Sequence, residues 1–132
     1  MSNQGSLENI VTGYLRSLVA GVLTRIGSTV HGHAQSLRER KFGEIEGEII
    51  ARAGDMIHTF KVSVSLDRLN VFGIVDYTSF GADGKKGRSH SKAFELPATA
   101  HPGHFVEQMA AFAEAQYQGH NAPASVEWTY AS

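Results

Sequence analysis

His58 lies in the stretch Met56-Ile57-His58-Thr59-Phe60, in the same alternate row as Met56, Phe60, Val62, Val64 and Leu66. A titratable ring in an apolar row is either a core histidine held by a hydrogen bond or one member of a site. Pairing the neighbouring strands places Tyr77 and His90 beside it. An imidazole bonded to a phenol can act as a general acid or base, so His58, Tyr77 and His90 form the candidate set for a small pocket enzyme or ligand-binding domain. The bland alternative is a buried polar cluster that satisfies itself. That reading is preferred, because the chain carries no nucleophile motif, phosphate-binding loop or carboxylate pair.

Two further histidine pairs have metal-ligand spacing. His31 and His33 would converge on one side of an extended chain, and His101 and His104 would do so at the start of a helix. Neither pair matches a zinc signature, which needs a third protein ligand brought in by the fold. Neither metal nor cofactor is expected.

The strongest local charge feature is the stretch Gly81-Ala82-Asp83-Gly84-Lys85-Lys86-Gly87-Arg88, continuing to Lys92. Lys85, Lys86, Arg88 and Lys92 meet only Asp83 as an opposing charge. Cations on a glycine-rich loop attract phosphate or carboxylate groups, although charge at a hairpin tip also serves solubility alone. No aromatic residue interleaves them, so base stacking is not indicated. These four residues are the candidate partner-binding set for a protein or nucleic-acid partner.

These side chains need elements to position them. In Glu44–Ala53 the residues Ile45, Gly47, Ile49, Ala51 and Ala53 alternate with Glu44, Glu46 and Glu48, the pattern of a half-buried strand. Gly54-Asp55 then reads as a two-residue hairpin loop, which pairs Glu48 with Lys61, Ile49 with Phe60 and Ala51 with His58. A second turn at Asp67-Arg68 pairs Val64 with Val71, Val62 with Gly73, Phe60 with Val75 and His58 with Tyr77. A third turn, its tip at Asp83-Gly84, returns a fourth strand that sets His90 beside Tyr77 and Phe94 beside Gly73. Gly47 and Gly73 flank Val62 on the buried face, which implies strong curvature or a closely approaching helix.

The four-strand meander is preceded by a helix. Leu7, Ile10, Val11, Tyr14, Leu15, Leu18, Val22 and Ile26 recur at helical spacing, from a cap at Ser6 to a stop at Gly27. Glu8, Arg16 and Arg25 interrupt the apolar run, so it is not read as a membrane span. On its other side Gly13, Ser17 and Gly21 form a row of small residues that lets another backbone come close, either this chain's own sheet or a helix of a second subunit. Residues 28–41 show no clean period and read as a connector. Pro102 opens a second helix carrying Phe105, Val106, Met109, Phe112, Ala113 and Tyr117 to Gly119, and Val126, Trp128 and Tyr130 mark a last strand.

The expected fold is therefore α+β. Two layers are formed by a curved, five-stranded antiparallel or mixed sheet with both helices on one face, and the last strand lies beside the first. The whole chain of 132 residues is about one domain long. In the order of its elements alone it resembles small phage tail-completion and other assembly proteins.

Twelve Lys plus Arg against thirteen Asp plus Glu give a net charge of −1, so no global field draws the molecule onto nucleic acid or an anionic membrane. Any such binding must be local. The absence of cysteine excludes disulfides and thiolate chemistry. The first residues lack the basic and apolar regions of a signal peptide, and a cytoplasmic location is expected. These features describe a non-enzymatic binding or assembly protein, expected to be a homo-oligomer without a membrane partner, that uses its basic hairpin as the contact.

Overall fold

The computed structural model describes residues 3–30, 33–34, 37–97 and 100–121. Helix α1 (Asn3–Val30) is followed by six strands: β1 (His33–Ala34), β2 (Arg38–Lys41), β3 (Glu44–Ala53), β4 (Met56–Asp67), β5 (Asn70–Phe80) and β6 (Lys86–Leu96). Helix α2 (Pro102–Asn121) closes the described chain. The sheet order is β1-β3-β4-β5-β6, every pairing is antiparallel, and β2 also pairs with β3. The α+β meander with two helices on the sheet is thus the observed fold.

Two glycines seat the two helices. A Cβ on Gly47 would stand 2.6 Å from Leu23 and 3.1 Å from Val19 of α1, while a Cβ on Gly73 would stand 2.7 Å from Met109 and 2.8 Å from Phe105 of α2. Each helix lies close to a different strand at a position with no side chain. The helices run side by side in the same direction, with Gly21 near Val106, Arg25 3.5 Å from Glu107, and Thr29 hydrogen-bonded to Glu114. Beneath them Ile45, Ile49, Phe60, Val62, Val64, Val75 and Tyr77 meet Leu15, Val19, Val22, Leu23, Ile26, Phe105 and Met109 in one buried core. The opposite face of the sheet keeps Ile50, Lys61 and Ile74 exposed.

The β3–β4 register is the expected one, with Ala53 opposite Met56, Glu48 opposite Lys61 and Ala51 opposite His58. The β5–β6 register is too, with His90 opposite Tyr77 and Phe94 opposite Gly73. Between β4 and β5 the pairing differs by two residues: the loop is Arg68-Leu69, Asp67 faces Asn70, Phe60 faces Tyr77, and His58 faces Ser79. Arg68 takes the left-handed conformation at φ 60° that the first residue of a tight hairpin loop can require. The shift leaves Leu69 at the exposed tip and Leu66 opposite Val71. A slip of two residues keeps every side chain on its face.

Residues 33–34 and 38–41 depart further from the expected connector, and α1 continues to Val30 before them. β1 pairs with Ile49 and Ile50 and β2 with Glu44–Glu46, so successive pieces of one segment occupy the outer edge of β3. That is the place expected for the last strand. Val126, Trp128 and Tyr130 lie outside the described residues.

Candidate functional site

The buried polar cluster forms at one end of the sheet. His58 and Tyr77 are both 0% exposed. Although Ser79 is the residue directly opposite His58, Tyr77 reaches across diagonally, and its Oη lies 2.8 Å from His58 Nδ1. Their rings lie 5.9 Å apart, Phe60 and Tyr77 pack at 5.2 Å, and Tyr117 of α2 meets the edge of the imidazole at 4.9 Å. Burial pushes the Tyr77 phenol up to about 12, against the lowering influence of the Ser79 hydroxyl and Arg88. The phenol is therefore protonated throughout the physiological range, and it serves His58 as a hydrogen-bonding group.

His90 joins this cluster only at its margin. It stands opposite Tyr77 on β6 and is half-buried, with its Nε2 3.4 Å from Arg88 Nη2. A guanidinium only donates, so that contact needs an unprotonated Nε2. Burial and the Arg88 charge both hold the His90 pKa below its ordinary value. The three residues named from the sequence are thus brought together, with two of them in full burial. A fully buried imidazole–phenol pair can order a core, but it offers no surface to a substrate.

The histidine pairs are placed differently. His101 accepts a hydrogen bond from Gly103 N at the start of α2, while His104 Nε2 lies 3.1 Å from Gln108 Nε2. Both are exposed. His31 and the side chain of His33 lie outside the described residues. Among the described residues no group of three or more His, Asp or Glu converges as a metal site would require.

The cationic set is on the surface. Gly81 N bonds Lys85 O, Gly84 N bonds Gly81 O, and Asp83 Oδ1 accepts from Lys85 N. The tip is thus a defined turn with Gly84 at φ 78°. Lys85, Lys86 and Lys92 are exposed, and Arg88 is half-buried where its backbone N donates to Ser79 Oγ. Asp83 spends its acceptor on the backbone, and among the described residues no acidic side chain forms an ion pair with Lys85, Lys86 or Lys92. His90 and Lys92 stand opposite Tyr77 and Val75, inward-facing positions of β5, while Arg88 lies in the irregular stretch between Lys86 and Ser89. Lys92 stands 5.3 Å from the centre of the Phe94 ring.

Comparison with protein-family models, curated proteins and solved structures finds no match. The choice between the two candidate sites therefore rests on their geometry.

One charged feature escaped the sequence analysis. Glu46 belongs to the row of three glutamates on the open face of the sheet, yet it is buried. Arg38 donates to its Oε1 at 2.7 and 2.9 Å, Lys61 lies 3.2 Å from its Oε2, and Arg40 is 3.6 Å away. Burial alone would raise the Glu46 pKa, but Arg38 and Lys61 outweigh it and hold the carboxyl below its usual range. This cluster fastens β2 onto the sheet. The visible signal for it was the run Arg38-Glu39-Arg40-Lys41 ahead of a glutamate-bearing strand.

Proposed function

We propose that the protein is a non-enzymatic binding or assembly protein whose partner surface is the hairpin and edge strand carrying Lys85, Lys86, Arg88 and Lys92. One observation carries this reading: three lysines without an acidic partner among the described residues share one exposed hairpin and strand. A carboxylate or phosphate partner would gain Coulomb attraction there without first breaking an internal ion pair. The full burial of His58 and Tyr77 favours this reading over a pocket enzyme centred on His58, Tyr77 and His90. No helix among the described residues is long and apolar enough to cross a membrane, and a cytoplasmic site of action is part of the proposal.

The test is amide chemical-shift mapping with polyglutamate and with a short single-stranded RNA as probes. Shifts concentrated at residues 81–92 support the proposal. Shifts centred on the amides around His58 and Tyr117 would replace it with the ligand-binding alternative.

Self-association belongs to the same proposal, with a second copy as the occupant of the opposite end of the molecule. There Leu7, Ile10, Tyr14 and Leu69 are exposed. Gly21 of the small-residue row lies against Val106 of this chain's own α2, whereas a Cβ on Gly13 would meet nothing within 4 Å. The first turns of α1 thus run past the covering helix, and exposed apolar side chains at one end of a molecule are a common mark of an interface. Light scattering should give at least twice the 14.3 kDa chain mass, and a monomeric mass at tens of micromolar contradicts this part of the proposal.

A further inference from the structure

We infer that the outer edge of β6, together with the depression between Phe94 and Phe112, takes an extended acidic peptide by strand addition. The inference rests on the reading of the Lys85–Lys92 hairpin as the partner surface and names the chemistry of the partner.

β6 is the last strand of the sheet order, and among the described residues no strand pairs with its outer side. It is eleven residues long, and its register with β5 is unbroken from Ser89 to Leu96. Such an edge presents a row of backbone donors and acceptors to any extended chain. Natural proteins guard edges with charge, and the cations of β6 would serve that purpose against a neutral or basic strand. Against an acidic strand the same charges attract. His90, Lys92 and Phe94 repeat every second residue within the unbroken register, about 6.8 Å apart along a strand, which is the spacing of same-side residues on a chain laid alongside.

The depression next to the edge supplies an apolar anchor. It is lined by Lys92, Phe94, Gln108, Ala111 and Phe112 and has a volume of about 470 Å³, within the range of sites that hold a side chain or small ligand. Phe94 and Phe112 meet edge to face at 6.2 Å and form its apolar wall. On the other side of β6 the residues Ser89, Ser91 and Ala93 are small and exposed, so an added strand meets no bulk there. The fitting segment carries carboxylates toward Arg88 and Lys92 and an apolar residue toward Phe112. A nucleic-acid strand uses less of this arrangement, because Phe94 is packed against Phe112 and is not free to stack on a base.

The experiment uses the full chain and a twelve-residue synthetic Glu-Val peptide, two copies of Glu-Thr-Glu-Thr-Val-Thr, which puts its Glu and Val residues on one face of an extended strand; the same peptide with Lys for Glu and a short single-stranded RNA are the controls. Within residues 89–96, exchange of the alternate amides that point away from β5 should slow when the Glu-Val peptide is added. Ala111→Leu, which fills the depression without changing charge, and Lys92→Glu, which reverses one exposed charge, should each weaken that peptide about tenfold or more. RNA binding should survive Ala111→Leu. Peptide binding with shifts at the hairpin tip but no slowed exchange at the outward-pointing β6 amides, or those outward amides already slow before peptide is added, overturns strand addition while leaving the hairpin as the partner surface. Tighter binding of RNA in competition overturns the choice of a peptide partner. Binding of neither anion removes both this inference and the function on which it rests.

Discussion

Tyr77 Oη lies 2.8 Å from His58 Nδ1 although the two residues are not opposite each other in the sheet. The bond spans the diagonal between adjacent strands, and both partners are fully buried. Neither group can exchange this bond for water without opening the core. Tyr77→Phe and His58→Leu should therefore each cost about 1–3 kcal/mol, the penalty of leaving one buried polar group without this partner. The double variant should cost less than the sum, because it removes both polar ends together. Urea unfolding of the four proteins measures this coupling; strict additivity would mean that the bond contributes nothing.

Acid should weaken the fold through two groups. The Glu46 carboxyl has a lowered pKa in the folded chain. Its contribution is thus present above the unfolded value near 4.5 and is lost as pH falls through the folded value. His90 also has a lowered pKa, so the unfolded chain takes up its proton first, and stability falls as pH drops below the ordinary histidine value of 6.5. Glu46→Gln should cost about 1–2 kcal/mol at neutral pH, at the low end for charge-assisted bonds because Arg38 and Lys61 remain solvated. It should remove the lower-pH limb only, and His90→Gln should flatten the limb just below 6.5. Thermal melts from pH 2 to 8 check both, and an unchanged profile in either variant contradicts its assignment.

Gly47→Ala and Gly73→Ala should each destabilise the fold by about 1–3 kcal/mol, because each new methyl group overpacks the seat of a helix. At Gly73 the nearest atoms are the thioether end of Met109 and the rim of Phe105; at Gly47 they are Leu23 and Leu37. Met109→Ala should cost less in the Gly73→Ala background than in the parent, a partial rescue that Gly47→Ala should not show. Denaturation midpoints decide this, and equal rescue of both would show that the two helices are not seated separately.

Much of this architecture was legible in the residues. Alternation in Glu44–Ala53 and the Gly54-Asp55 loop were enough to set every pair between β3 and β4. Gly47 and Gly73 marked curvature or a closely approaching helix, and each turns out to seat a helix. The β4–β5 register was not legible, because a left-handed loop position usually calls for Gly or Asn, and here Arg68 occupies it. Residues 38–41 are exposed along their whole length, so no alternation betrays β2. Its absence from the sequence reading also hid the burial of Glu46, which looks like its neighbours Glu44 and Glu48 until Arg38 is brought over it. His58 and Tyr77 were associated through a pairing two residues out of register, and the length of the tyrosine side chain restores the contact.

A partner contact made by the basic hairpin should show itself in the salt dependence of anion binding. Arg88 is unsuited to the test because its backbone and side chain also contact Ser79 and His90, so the variant is Lys85→Ala, Lys86→Ala and Lys92→Ala combined. These exposed changes should leave stability within about 0.5 kcal/mol of the parent. Titration of polyglutamate at a series of salt concentrations should show weaker binding by the variant and a flatter dependence of affinity on salt. Binding by the triple variant with undiminished affinity and an unchanged salt slope would contradict the assignment of the hairpin as the partner surface.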